Sequence, residues 1–335
     1  MRAAFLVALG LGLFAPSYTH AAEQQDSPLA VVRIGLAGCH QQTQPAPAFW
    51  RYVTAKPDLM LWLGNNVYTD TPDDLAVIEE GHAALASLPA FEQLRRAVPM
   101  AATWDDHDYG LNNCGKDYAL KEPSKQHFRR FWGLEDCVPA DRDGVYHARY
   151  FGEGDQRLQV LLLDGRYNRD APGDDADTLG ERQWSWLEEE LRRPARLRLI
   201  VSGYQVLLDK DAHFETWSKF PRARRRLFDL IRASGAEGVV FLAGDQHYGE
   251  ASRLPEAIGY DAIELMFCGV NQQEPHVLNR GRVTPVAHAK NAYALLDLQW
   301  RASETDEPHL LFRVFDADRD AAELTYRVNF SELRN

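Results

Sequence analysis

One stretch constrains the fold more than any other: Leu61-Trp62-Leu63-Gly64-Asn65-Asn66-Val67-Tyr68. A short, wholly apolar run ends in glycine and gives way at once to two amides and a phenol. A buried strand delivers polar groups to a pocket at its C-terminal end in this way. Two later stretches repeat the pattern, Ala102-Thr103-Trp104-Asp105-Asp106-His107-Asp108 and Val240-Phe241-Leu242-Ala243-Gly244-Asp245-Gln246-His247. Cys39 stands at the end of a fourth apolar run.

The rest of the chain is arranged around these ends. Residues 30–37 read as a buried strand, 45–55 as a short helix and 59–63 as the second strand. Asp73-Asp74 caps a helical stretch from 75 to about 98, with a break at Pro89, and a third strand follows at 100–104. A polar region then carries a helix at 124–132. Strands at 144–151 and 158–163, a helix at 179–192, a strand at 197–201, a helix at 220–234 and a strand at 238–243 come next. Segments 262–268, 292–299, 309–315 and 324–330 read as strands parted by turns, an antiparallel run. Alternation followed by a meander predicts an α/β fold: two stacked mixed β-sheets flanked by helices, a four-layer sandwich.

Residues 1–21 have the form of a secretory signal. Arg2 precedes an apolar run too short to span a bilayer, and Thr19-His20-Ala21 offers a cleavage site. The expected mature chain is a single domain over 22–335, periplasmic or secreted and monomeric. No second long apolar run exists, so no membrane span is expected. The net charge of −12 argues against sequence-independent nucleic-acid binding, which rests on neutralising phosphates. The basic run at 222–226 reads as the solvated face of a helix. Of the four cysteines, Cys114 and Cys137 flank a polar helical segment and form the natural disulfide pair. Cys39 and Cys268 each follow an apolar strand beside glycine and read as interior thiols or ligands; the sequence alone does not fix the connectivity.

Tyr68 lies three residues after Asn65, a spacing that lets both face one site across a tight loop. A phenolate is a hard anionic ligand suited to a ferric ion, and Cys39 offers a thiolate. Alone, Tyr68 would read as a half-buried ring with a satisfied hydroxyl. Asp105-Asp106-His107-Asp108 sets four titratable groups in one loop, the makings of a ligand and a proton donor. Asp245 and His247 reach one pocket only through a turn. Gln205 follows a strand and carries little signal alone. The chain has no Gly-x-Ser-x-Gly elbow, no phosphate-cradling Gly-x-x-x-x-Gly-Lys loop and no Cys-x-x-Cys pair.

These motifs resemble the PhoD-like alkaline phosphatases, of the calcineurin-like metallophosphoesterases. They run in order from Gly38-Cys39 through Trp104-Asp105-Asp106-His107-Asp108-Tyr109-Gly110, Asp164-Gly165-Arg166-Tyr167 and Ser202-Gly203-Tyr204-Gln205 to Gly244-Asp245-Gln246-His247-Tyr248. The resemblance implies a phosphoric ester hydrolase with a binuclear centre, a ferric ion beside calcium or another hard divalent cation. It implies Cys39, Tyr68 and His247 on the ferric ion, and Asp106, Asp245 and Gln205 on the second metal. His107 would be the general acid or a phosphate-binding group, with Arg166 and Asn66 toward the substrate. The substrate would be a small phosphate ester, or a diester of phospholipid or nucleotide type. One position departs from the family pattern: the carboxylate expected to bridge the two metals is Asn65. An amide is neutral and binds a cation through its carbonyl oxygen alone. A weakened metal pair, a single-metal site and a binding protein that does not turn over substrate all follow as options.

Overall fold

The computed structural model describes residues 27–208, 215–275 and 278–335, so the expected signal over 1–21 lies outside it. The apolar runs form strands because each must be covered on both faces. In the first sheet β1 (Arg33–Ala37), β2 (Leu59–Leu63) and β3 (Met100–Thr103) run parallel. The chain's last three strands, β10 (Ala292–Gln299), β11 (His309–Asp316) and β12 (Ala321–Asn329), extend that sheet antiparallel from β1. The order is β12-β11-β10-β1-β2-β3.

The second sheet also has six strands: β4 (His147–Phe151), β5 (Leu158–Leu162), β6 (Leu197–Ser202), β7 (Val239–Ala243), β8 (Gly249–Leu254) and β9 (Ala262–Phe267). Its order is β4-β5-β6-β7-β9-β8, with β5, β6, β7 and β9 parallel and an antiparallel strand at each edge. The expected antiparallel run is therefore corrected at its start. β9 runs parallel to β7 in the second sheet, and only β10 to β12 form the meander.

Seven α-helices among the described residues flank the sheets: α1 (Ala48–Ala55), α2 (Leu75–Ala86), α3 (Pro89–Ala97), α4 (Asp106–Tyr109), α5 (Lys121–Trp132), α6 (Glu181–Leu191) and α7 (Pro221–Ser234). Proline ends one helix and starts the next at Pro89, because its ring fits the first helical turn and no later one. The outer layer locks onto β2 through Trp62, whose ring lies 5.4 Å from Phe91 of α3 and 5.1 Å from Trp132 of α5. Truncating such a buried ring costs about 3–5 kcal/mol.

Register brings the strand ends level. Ala37 pairs with Trp62, and Leu63 with Thr103. In the other sheet Ser202 pairs with Ala243, and Ala243 with Met266. The two sets of ends are joined directly. The Thr103 hydroxyl donates to the Leu163 carbonyl at 2.7 Å. Cys39, just beyond β1, is disulfide-bonded to Cys268, just beyond β9. This corrects the expected Cys114–Cys137 bridge, since both of those residues are free thiols. In the chain-entropy picture, closing a loop of 229 residues stabilises the fold by about 5 kcal/mol.

Candidate metal centre

Three strand ends leave their strands in the left-handed region: Cys39 at φ 50°, Asn65 at φ 51° and Asp245 at φ 78°. Non-glycine residues rarely sit there, and they collect at functional sites. Glycine makes room beside them. Gly64 has φ 102°, and a Cβ there would lie 2.7 Å from the Cβ of Asp105. A Cβ on Gly203 would lie 2.6 Å from Asp105 Oδ1. Backbone from both sheets thus closes on one carboxylate.

Asp105, Asp106 and Asp245 each bring a carboxylate oxygen within 4.8 Å of the others. Asp105 is buried and gives Oδ1 to the Arg166 Nε–H at 2.6 Å, while its Oδ2 has no hydrogen-bond partner. Asp106 takes the His107 N–H at 3.0 Å and the Asn113 N–H at 2.8 Å. Asp245 accepts the Gln246 amide N–H at 2.8 Å. Burial pushes Asp105 well up against the pull of Arg166. Burial, then Asp106 and Glu215, push Asp245 up to about 7. Asp106 is held low despite its burial, by Arg166 and His107. Three carboxylates this close do not all carry charge unless a cation joins them.

A row of alternating charges runs behind them. Arg166 lies between Asp105 and Glu215, and Glu215 also takes Arg169. Arg166 also lies 3.9 Å from Asp106, so two guanidiniums face the four carboxylates of Asp105, Asp106, Asp245 and Glu215. That excess of about two negative charges matches a divalent cation with oxygen ligands. Arg166, expected toward phosphate, is fully buried in this row and stacks 5.0 Å from the Tyr204 ring. The alternative partner for its guanidinium, Asp164, instead accepts the backbone N–H groups of Arg166 at 2.8 Å, Val145 at 2.9 Å and Tyr167 at 2.9 Å.

The other expected residues fall into distinct places. The Tyr68 hydroxyl lies 2.8 Å from His247 Nε2, and its ring centroid 4.3 Å from that of His107. Burial and then the carboxylates Asp106 and Asp245 hold Tyr68 as a neutral phenol, well above its usual value. Burial lowers His247 to about 4. The turn that Asp245 and His247 require is present, with the His247 N–H on the Asp245 carbonyl at 3.2 Å. Asn65 Oδ1 accepts the His107 N–H at 3.1 Å, and its buried Nδ2 has no partner. Asn66 is fully buried, with Nδ2 on the Thr103 carbonyl at 2.9 Å and on Asp108, so its amide nitrogen serves the scaffold. Gln205 is buried with Nε2 on Glu250 at 2.9 Å and Glu264 at 3.0 Å, while its Oε1, the atom a cation would take, has no hydrogen-bond partner. Cys39 is corrected as a metal ligand: its sulfur is bonded to Cys268 and has no thiolate to give.

Two participants, Asp70 and Glu215, escaped the sequence reading, and Asp108 was singled out only as one titratable group of its loop. Asp70 sets both carboxylate oxygens 2.7 and 2.8 Å from His107 Nδ1. A carboxylate only accepts, so Nδ1 carries the proton and Nε2 is the nitrogen left for a ligand. Burial opposes a charge on His107, but its bond to Asp70 and the nearby carboxylates outweigh that and raise it. Asp108 gathers the backbone N–H groups of Asn65 at 3.1 Å, Asn66 at 3.1 Å and Asp105 at 2.7 Å, and so fixes one strand-end loop on the other. Glu215 completes the charge row. Asp70 was within reach as a carboxylate two residues past Tyr68 in the same loop; Glu215 carries no local signal.

The sequence matches the PhoD-like phosphatase profile over residues 34–302. The chain belongs to the PhoD-like phosphatase family. Its fold is similar to the structure of PhoD, with TM-score 0.63 at 17% identity over 91% of this chain and 73% of that one. It is also similar to the purple acid phosphatase PPD1 from yellow lupin (Lupinus luteus) seeds, with TM-score 0.59 at 12% identity over 91% of this chain. This chain covers 54% of the lupin protein's length. No curated protein sequence matches it. Membership makes the chain a metal-dependent phosphoesterase, and its substrates phosphoesters.

Proposed function

We propose that this PhoD-like phosphatase is an exported hydrolase of phosphate monoesters or diesters, acting where β2, β3 and β7 end. The observation that carries the reading is His107 beside the three-aspartate cluster, with Nδ1 fixed by Asp70. A cation held by Asp106 and Asp245, with Asp105 beside them, would supply a Lewis acid for a phosphoryl oxygen. As the imidazolium, which Asp70 and the nearby carboxylates favour, His107 keeps Nδ1–H on Asp70 and hands its Nε2 proton to the leaving oxygen. Asp70 holds the ring in the tautomer and orientation for that transfer. The Tyr68 ring against His107 limits its rotation and keeps water from one face. The Cys39–Cys268 bridge supports export, since disulfides persist in oxidising compartments. No helix among the described residues is long and apolar enough to cross a membrane.

Turnover of p-nitrophenyl phosphate and bis-p-nitrophenyl phosphate by metal-reloaded protein tests this reading. His107→Asn is expected to lower kcat by roughly 10²–10⁴-fold. The loss should be larger for phenyl than for p-nitrophenyl esters, because the poorer leaving group needs the proton more. Equal losses on both would remove His107 as the acid. Asp70→Asn should reproduce the leaving-group bias, with a smaller fall in kcat and KM little changed.

A second reading, a binder of phosphoesters with weak turnover, is favoured by Asn65. If Asn65→Asp raises kcat by a factor of ten or more while phosphate affinity holds, the natural chain is the attenuated one. If Asn65→Asp leaves kcat unchanged, this second reading is lost.

A further inference from the structure

We propose that this chain holds one hard divalent cation, at Asp105, Asp106 and Asp245, with no ferric ion beside it. The inference rests on the metal-dependent reading above and concerns which ions these residues suit. A ferric ion requires anionic donors around it. Four residues stood where the family resemblance places that ion and its bridge: Cys39, Asn65, Tyr68 and His247. Two of the four have lost their charge.

The Cys39 sulfur is bonded to Cys268, and both residues are fully buried between the sheets. Backbone closes around the bridge. A Cβ on Gly38 would lie 2.9 Å from the Cys268 sulfur, and one on Gly244 would lie 3.4 Å from it. No thiolate is left at this strand end. Asn65 fails differently. Its carbonyl oxygen already receives the His107 N–H at 3.1 Å, and its buried amide nitrogen is the atom without a partner. Turning the amide over would set NH₂ against the His107 N–H, donor against donor. The side chain therefore presents N–H hydrogens, the wrong end of its dipole for a cation, where the family pattern has a carboxylate shared by two metals. Tyr68 and His247 remain, and only one of them can become anionic.

The aspartate side has the opposite balance. Two guanidiniums, Arg166 and Arg169, face the four carboxylates of Asp105, Asp106, Asp245 and Glu215, with Arg166 3.9 Å from Asp106, so about two negative charges remain. Asp105 keeps a buried carboxylate oxygen with no partner. The donors are oxygens, so calcium, manganese or magnesium suits them better than a thiophilic ion. One divalent charge neutralises this side and leaves nothing to hold a trivalent ion next to it.

Metal counting on the natural chain tests the proposal without any variant. Metal-free protein is reloaded separately with calcium, manganese and iron, desalted, and analysed for metal per chain. Free thiols are titrated on the unfolded, unreduced protein to certify the bridge. The expected result is one equivalent of divalent metal per chain, two thiols, and no visible tyrosinate-to-iron band after iron loading. Two equivalents in protein with two thiols, or such a band, overturns the proposal while leaving the metal-dependent reading intact. No bound metal at all overturns both. The pair Asn65→Asp with Cys268→Ser restores a bridging carboxylate and frees the Cys39 thiol. It should take up a second equivalent and gain the band on iron loading. If the folded pair still binds one equivalent, Cys39 and Asn65 are not the cause and the argument falls. Asn65→Asp alone, which keeps the disulfide, should bind a second divalent ion more weakly than the pair and show no thiolate-dependent change.

Discussion

Two groups of buried acids sit near the strand ends, and they have opposite accounts of their hydrogen bonds. Glu264 accepts Gln205 Nε2 at 3.0 Å, the Val206 N–H and the Leu207 N–H at 3.2 Å. Glu250 accepts Gln205 at 2.9 Å, Asn279 at 2.7 Å and Arg282. Every carboxylate oxygen there has a donor. Among the aspartates, Asp105 has an oxygen with no partner, and Asp106 and Asp245 have more charge than their neighbours cancel. Asp105 and Asp106 are buried like the two glutamates, and Asp245 is partly buried. A buried acid that the protein itself satisfies is scaffold; one left unsatisfied waits for something the chain does not carry.

The sharpest way to break this contrast is to neutralise one acid in each group. Asp245→Asn keeps a residue that tolerates positive φ and removes a charge the cation needs. It should lower metal-dependent phosphoester turnover on the order of 10³-fold, with bound metal lost and urea stability of the metal-free protein nearly unchanged. Glu264→Ala should do the reverse. It strips acceptors from two backbone N–H groups and from Gln205, so stability should fall by roughly 3 kcal/mol in urea unfolding. Protein that remains folded should still bind its cation. If both variants lose stability and neither loses metal, the two groups are alike and the contrast is gone.

A smaller effect sharpens it further. With Asp245 pushed up to about 7, the metal-free site holds a proton that the cation must displace. Below pH 7 the proton competes, so affinity should weaken by about tenfold per pH unit for one proton. Above 7 the part due to Asp245 should level off. Calcium titrations into metal-free protein in buffers of different ionisation enthalpy read both the slope and the proton released. A flat profile would move Asp245 out of the cation's ligands.

The strands that carry the site were legible because Leu59–Leu63 and Val239–Ala243 have no polar face, and such runs have few other uses. β8 was not legible. Gly-Glu-Ala-Ser-Arg-Leu has neither alternation nor β-branched residues, and it becomes a strand through its pairing with β9. Asp106, His107, Asp245, Tyr68 and His247 could be read from their places after strands. Their partners could not. Glu215 and Cys268 reach the site only once the sheets stack, and nothing in local spacing reports that; Asp70 lies in the Tyr68 loop but its pairing with His107 needs β2 beside β3. Arg166 shows the limit from the other side: the resemblance implied a phosphate-binding group or an internal salt bridge with Asp164, while its surroundings supply the carboxylates of Asp105, Glu215 and, at 3.9 Å, Asp106.

The disulfide also dictates a timetable. Cys39 precedes Cys114 and Cys137 in the chain, and its partner Cys268 comes last, 229 residues later. A chain delivered from its N-terminus into an oxidising space presents the two wrong thiols first. Pairing in order of arrival would trap β1 against the region around α5 and keep it from its place beside β2 and β10. On the proposed export route, maturation would depend on either delaying oxidation until β9 has docked or reshuffling an early bridge. Its yield should follow the supply of disulfide isomerase more closely than that of any chaperone that only shields apolar surface.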